Sequence, residues 1–346
     1  MYWYYKYPLL CLLILILVGL AHLVWTNLPS STEKSTATQT ETSSKPADNE
    51  TSDQKEKTAA DSSADDSAPE AGKKRDSSGK EPTEPLDPET SERLNDLLTK
   101  AQTQLSKENF LAARKLSRNI IQPLENRGRL LSPLWKKAAR ILSRTNTKIF
   151  NSSIPVEEKE KYVIQAGDTL AGIAAKFNTT ISAIQRSNGL DPTNPKIYPN
   201  DVLQIYQGDW RIKVFKENFR LLLYDDDLLF KVYKIGIGRQ DRTPTGTFRI
   251  QNKLKEPDWT RRGKTIPYGD PDNVLGTRWM GLKPVGDTPK NLTGYGIHGT
   301  WKPETIGQAV SNGCVRLKNE NVNELFSIVT RGTPVRIKEK PDGDSS

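Results

Sequence analysis

The chain has 346 residues, 51 Lys and Arg against 42 Asp and Glu, a formal charge of +9, and only two cysteines and two histidines. One of each, Cys11 and His22, falls in an apolar segment near the amino terminus, leaving Cys314 and His298 for the rest of the chain. A multi-disulfide scaffold and a zinc site made of Cys and His are thereby excluded, and no cofactor or metal is expected.

The first predicted element is the apolar run from Leu9 to Trp25, broken only by Gly19 and His22. Its length is close to the ~20 residues a helix needs to cross a bilayer. Tyr2, Trp3, Tyr4, Tyr5 and Tyr7 precede it and Trp25 closes it, the placement expected of rings at two lipid–water interfaces. Residues 1–26 are therefore expected to be a membrane anchor, an N-terminal transmembrane helix with the bulk of the chain exported, since Lys6 and the amino terminus stay inside. A cleaved signal peptide is the competing reading. The length of the run and the absence of paired small residues after Ala21 weigh against it.

Residues 27–90 are Ser, Thr, Ala, Asp, Glu, Lys and Pro with almost no large apolar side chain, a composition that cannot offset its ordering entropy. A disordered linker, or tether, is expected. It carries eight Lys and Arg against fifteen Asp and Glu, so the remaining chain is more basic than the overall +9. Such a surface attracts acidic polymers at long range, although solubility explains it equally well. Nucleic-acid binding is disfavoured by the export signal rather than by the charge.

Between 91 and 150 apolar residues recur at helical spacing: Leu94, Leu97, Leu98, Ala101 and Leu105, then Phe110, Ala113, Leu116 and Ile120, and after Pro133, Trp135, Ala138, Ala139 and Leu142. Two or three amphipathic helices are expected, as a short helical spacer with no chemistry assigned.

Residues 161–207 read as βααβ. A short strand at Tyr162 leads into the turn Gly167-Asp168-Thr169, which caps a helix carrying Leu170, Ile173, Ala174 and Phe177. A second helix runs from Ile181 to Asn188, and Val202 to Ile205 returns as a strand. This order of turn, helices and Tyr198-Pro-Asn-Asp strand entry resembles a LysM domain over its whole length. The resemblance implies a shallow groove for N-acetylglucosamine chains, lined by Gly167, Asp168, Thr169 and Leu170 on one side and by Asn188, Gly189, Ile197, Tyr198 and Pro199 on the other.

From Trp210 the pattern changes to short strands, predicted at Arg211–Phe215, Arg220–Tyr224, Leu228–Gly236, Gly246–Ile250 and Thr333–Ile337. One helix is predicted from Glu320 to Val329, capped by Asn319 and stopped before Gly332. Residues 210–339 thus form a β-rich domain. Within it lie Ile297-His298-Gly-Thr-Trp301 and Ser311-Asn-Gly-Cys314-Val-Arg-Leu317. A cysteine attacks carbonyls as its thiolate, so it needs a partner that lowers its pKa or takes its proton, and His298 is the one histidine outside the apolar segment. The spacing lets the two meet across adjacent strands, with Gly296, Gly299 and Gly313 allowing tight turns and close approach of a substrate backbone.

These two segments, with Thr243-Pro-Thr-Gly-Thr-Phe248 upstream, resemble the signature of the YkuD-type L,D-transpeptidase catalytic domain. The resemblance implies a multidomain bacterial cell-wall enzyme acting on peptidoglycan stem peptides and glycan strands. Cys314 would form a thioester with a stem tetrapeptide and His298 would take its proton. Gly299 would orient the imidazole through its carbonyl, and Asn312, Gly313 and Cys314 would offer N–H groups to the oxyanion. Arg316 would hold a substrate carboxylate and Ser311 would shape the nucleophile turn. Tyr268 and Trp301, the first from a Gly/Pro-rich insertion before His298, are expected to contact substrate. The acyl acceptor is expected to be a stem amine, giving a 3–3 cross-link. Water (an L,D-carboxypeptidase), a protein amine, or an inert wall-binding scaffold are the alternatives. The location implied is the inner membrane, single-pass, with the catalytic part in the periplasm or wall space, and the thiol is expected to titrate below a free cysteine.

Overall fold

A computed structural model describes residues 85–261 and 263–341. The expected membrane segment and nearly all of the expected tether lie outside the described residues. Among the described residues no helix is long and apolar enough to cross a membrane.

Three helices open the described chain: α1 (Pro88–Ser106), α2 (Phe110–Asn126) and α3 (Pro133–Phe150). Each starts where the sequence supplies a cap. The side chains of Asp87, Asn109 and Ser132 accept from Thr90, Ala112 and Trp135 N–H, and Pro88 and Pro133 follow two of these caps, where proline's missing donor costs nothing. Their apolar faces converge on Leu94, Leu98, Ile120, Leu124, Trp135 and Leu142, and Trp135 Nε1 donates to Glu125 at 3.0 Å.

The next layer is the βααβ unit. Strands β1 (Lys159–Val163) and β2 (Val202–Tyr206) pair antiparallel, and α4 (Leu170–Lys176) and α5 (Ile181–Asn188) pack over them through Ile164, Leu170, Ile173, Ile184, Leu203 and Ile205. Thr169 and Thr180 cap the two helices, and Gly189 ends the second in the left-handed conformation at φ 64°.

The third part is built on an eight-stranded mixed sheet. Its strands are β3 (Trp210–Phe215), β4 (Arg220–Asp225), β5 (Leu228–Lys234), β7 (Gly246–Lys255), β10 (Arg278–Pro284), β11 (Gly296–His298), β13 (Val315–Arg316) and β14 (Pro334–Lys338). They are ordered β13-β11-β10-β7-β14-β3-β4-β5. Short β6 (Ile237–Gly238) pairs with β12 (Ala309–Ser311), and β8 (Trp259–Arg261) forms a hairpin with β9 (Lys264–Ile266). One helix, α6 (Asn319–Ile328), packs on the sheet through Val322 and Leu325.

Burial along β4 explains how the three parts meet. Leu221 and Leu223 face the core of the sheet, whereas Leu222 and Tyr224 face the helices α1–α3. A continuous apolar run is what a strand covered on both faces requires. The helices are therefore a wall of the sheet rather than a spacer. The βααβ unit is likewise fastened: Ser187 Oγ donates to Phe150 O at 2.8 Å, Tyr206 Oη to Asp225 at 2.9 Å, and Thr180 Oγ1 to Ser327 O. The Phe150 ring lies 5.1 to 6.3 Å from those of Tyr206, Phe230 and Trp210.

Candidate active site

The nucleophile turn is built by β12, β13 and the segment after β6. Gly313, just before Cys314, has φ 132°, and a Cβ there would lie 2.8 Å from Tyr295 and 2.9 Å from the Arg242 carbonyl, so only glycine fits. Ser311 Oγ donates to the Cys314 carbonyl at 2.7 Å and accepts from Gly313 N–H at 3.2 Å, closing the turn on itself. Thr243 Oγ1 donates to the Gly313 carbonyl at 2.9 Å and accepts from Gly238 N–H at 2.7 Å. The upstream Thr-Pro-Thr-Gly segment thus holds the turn from behind, and Asn312, exposed, accepts from Arg239 at 3.4 Å.

Parallel pairing of β11 with β13 sets Ile297 beside Val315 and His298 beside Arg316, so Cys314 is level with Gly296. His298 is buried, with 3 % of its surface exposed. Its Nδ1 lies 2.6 Å from the Gly299 carbonyl. A carbonyl can only accept, so Nδ1 carries the proton and Nε2 is left as the basic nitrogen. Trp279, opposite His298 on β10, stacks on the imidazole with centroids 5.8 Å apart at 28°. Gly296 leaves room for that indole, which a Cβ would meet at 2.4 Å.

Cys314 and His298 open into one cleft of about 430 Å³ together with Ser311, Asn312, Arg316, Trp279, Gly294 and Leu275. Leu254, Val274 and Val310 add an apolar rim, each more than 40 % exposed. Cys314 Sγ lies 3.8 Å from the Gly294 carbonyl. Burial pushes its thiol up to about 11, against a smaller lowering by Gly296 backbone and by the Arg316 charge. Burial, aided by Arg316, pushes His298 down to about 4, although the Gly299 and Leu275 carbonyls oppose this. Both shifts favour the uncharged forms, so the thiol is raised rather than lowered as expected, with desolvation the largest cause for each group.

Arg316 lines the cleft with Nε and Nη2 buried and lacking hydrogen-bond partners. The surroundings of Gly313 and Asn319 differ from those expected. Gly313 N–H is engaged by Ser311 Oγ and so is not a free oxyanion donor. Tyr268 and Trp301 do not line the cleft but pack on each other, with centroids 6.0 Å apart. Asn319 does not cap α6; its Oδ1 accepts instead from Thr277 N–H at 3.2 Å and Thr300 N–H at 3.0 Å.

In the βααβ unit, Gly167, Thr169, Gly189, Tyr198 and Pro199 are exposed, Tyr198 by 60 %. Asp168 accepts from Gln165 N–H and Tyr162 Oη, and Ile197 is half-buried against the small core. Leu170 is inside that core, and both ends of the Asn188 amide bond the backbone of Gln204. These two residues hold the fold and present little to a ligand. Thr243, Trp279 and Asn319 are the site residues that sequence reasoning left without a catalytic task. For the first two the signals were their place in the upstream motif and in the insertion.

Comparison with known proteins gives two family matches, the YkuD L,D-transpeptidase catalytic domain over residues 209–337 and the LysM domain over residues 162–205. The putative L,D-transpeptidase YkuD of Bacillus licheniformis is 36 % identical over 182 residues, covering 51 % of this chain and 97 % of that protein. The putative L,D-transpeptidase YqjB of Bacillus subtilis is 38 % identical over 133 residues, covering 38 % of this chain and 73 % of that protein. Among solved structures, the catalytic domain of an E. faecium L,D-transpeptidase is 29 % identical, covering 38 % of this chain and 98 % of that one, with a TM-score of 0.30.

Proposed function

This chain belongs to the L,D-transpeptidase family, and from that premise we propose how its own residues carry out acyl transfer on peptidoglycan. The observation that carries the proposal is that Cys314 and His298 share one cleft, with the imidazole held by Gly299 in the tautomer that leaves Nε2 basic.

As Cys314 Sγ forms its bond to the acyl carbonyl carbon of the stem tetrapeptide, its proton passes to His298 Nε2. The carbonyl oxygen becomes an oxyanion, for which Asn312 and Cys314 N–H and the Arg316 charge are the available stabilisers. Collapse breaks the C–N bond to the terminal residue, and the His298 proton goes to the leaving amine. An acceptor amine then attacks the thioester carbonyl, giving up its proton to His298, and the thiol leaves with that proton. Because both groups start neutral, His298 acts as a general base and no preformed ion pair is needed. Arg316 favours negative charge at the sulfur and at the oxyanion, so its stabilising effect grows as negative charge develops in the reaction.

The reading places a second stem amine in the acceptor role, with water or a protein amine as the other acceptors the same thioester could meet. Glycan chains would lie along the exposed Gly167, Thr169, Tyr198 and Pro199 of the LysM unit, and the apolar run 9–25 would anchor the chain in a bacterial inner membrane with its catalytic part outside. Product analysis after incubation with a defined tetrapeptide tests the acceptor. A cross-linked dimer with one terminal residue lost is expected, whereas a trimmed tripeptide would replace this acceptor with water. An unchanged peptide would leave only a wall-binding scaffold.

A further inference from the structure

The imidazole of His298 is oriented by a backbone carbonyl rather than by a side chain, and what orients that carbonyl is a separate question. The Gly299 carbonyl and the Thr300 N–H belong to one peptide unit. That unit is planar and trans, so its C=O and N–H point in opposite directions and fixing one fixes the other. Thr300 N–H donates to Asn319 Oδ1 at 3.0 Å, and the Gly299 carbonyl faces His298 Nδ1 at 2.6 Å. The peptide is therefore clamped between the amide of Asn319 and the imidazole.

The same Oδ1 accepts from Thr277 N–H at 3.2 Å, and Thr277 Oγ1 donates to Asn323 at 2.8 Å. Thr277 immediately precedes β10, whose Arg278 carbonyl accepts from Gly299 N–H at 3.2 Å. Both partners of Oδ1 are donors, which settles the orientation of the amide. Close packing around it is tight: a Cβ on Gly299 would lie 2.2 Å from Oδ1, and one on Gly276 would lie 2.3 Å from it. Two glycines are thus required so that one asparagine oxygen can reach two backbone strands beside His298.

We propose that Asn319 is a positioning residue for the acyl transfer, acting through the Gly299–Thr300 peptide to hold His298 in the ring orientation and tautomer that leave Nε2 free to take the Cys314 proton. The inference rests on the acyl-transfer reading of Cys314 and His298. Polarisation runs along the chain of bonds: an acceptor on the N–H side makes the carbonyl a better acceptor for Nδ1–H. Asn319 is the first residue of α6, where a carboxylate is also favoured by the helix dipole, so Asn319→Asp keeps the acceptor in a stable helix. The charged group already facing His298 is Arg316 of β13, and Asp258 lies in the same cleft.

The test compares wild type, Asn319→Ala and Asn319→Asp in steady-state turnover of a soluble tetrapeptide, across pH, with active sites counted by irreversible acylation of Cys314. Asn319→Ala is expected to lose kcat on the order of 10- to 100-fold per active site with KM little changed, since misplacement of a reacting group has costs of this size. Asn319→Asp is expected to recover most of kcat and to move the acid limb of the profile up by about one pH unit, because negative charge reaches the imidazole through the peptide. Asn319→Ala with wild-type kcat per active site, or Asn319→Asp with an unmoved acid limb, would overturn the inference and leave the acyl-transfer reading intact. A wild type without turnover would overturn both. Should Asn319→Ala fail to fold, the pH profile of Asn319→Asp decides alone.

Discussion

His298 and Cys314 show how burial governs the chemistry of two residues. With His298 held down at about 4 and Cys314 up at about 11, the pair is uncharged across the neutral range. The basic form of His298 is required to accept the thiol proton, so kcat/KM should hold down to about pH 5 and fall only as His298 protonates below that. An acid limb near the ordinary histidine value of ~6.5 would contradict the buried neutral imidazole. The nucleophile and base were legible in the sequence because Cys314 and His298 each sit in a distinctive glycine-flanked motif. The pKa directions were not, since they depend on desolvation by surroundings that only the fold brings together, the Trp279 ring stacked on His298 among them. The same holds for Gly313, whose N–H is taken by Ser311 Oγ two residues away.

At the scale of elements, α6 joins the parts of the molecule. Its first residue braces the His298 loop, and its last turns receive the LysM unit and the helical wall. Glu324 takes Lys231 of β5 at 2.6 Å and Thr147 of α3 at 3.2 Å, with Arg186 of α5 at 3.9 Å. Both partners of the Lys231–Glu324 pair are largely buried, so removing one strands the other charge. Glu324→Ala should therefore lower the unfolding free energy by about 3 kcal/mol in urea titration. A loss under about 1 kcal/mol, the size typical of exposed pairs, would show the network to be ornamental. Periodicity marked α1–α3, the βααβ order and most strands, because those patterns are local. It placed Asn319 as a cap, since a cap and an oxygen reaching back to Thr277 and Thr300 look alike in one dimension. The short strands β6, β12 and β13 have too few residues to show a period.

For the whole molecule, a helical wall, a LysM unit and a catalytic sheet share apolar cores through Phe150, Leu222 and Tyr224. The run Arg220-Leu-Leu-Leu-Tyr-Asp225 carried that information, since no strand with one wet face needs four consecutive large apolar residues. Residues 85–341 should accordingly unfold in one cooperative calorimetric transition, whereas two separated transitions would mean that the LysM unit is independent. Acid should weaken the catalytic sheet that holds His298. His298 titrates at about 4 folded against 6.5 free, so the unfolded chain binds more protons between these values. The contribution is full above pH 6.5 and is lost as pH falls toward 4, on the order of 3 kcal/mol from this group.

Acyl transfer by this protein requires a covalent bond at Cys314. Intact-mass measurement and peptide mapping of the full chain, quenched in acid during turnover of a stem tetrapeptide, tests it most directly. Wild type should gain the mass of the acyl fragment without its terminal residue, located on Cys314, and His298→Ala should gain it far more slowly. Cys314→Ser should gain nothing and release no terminal amino acid. A wild type that turns over without any adduct on Cys314, or a Cys314→Ser variant with near-normal turnover, would contradict the account.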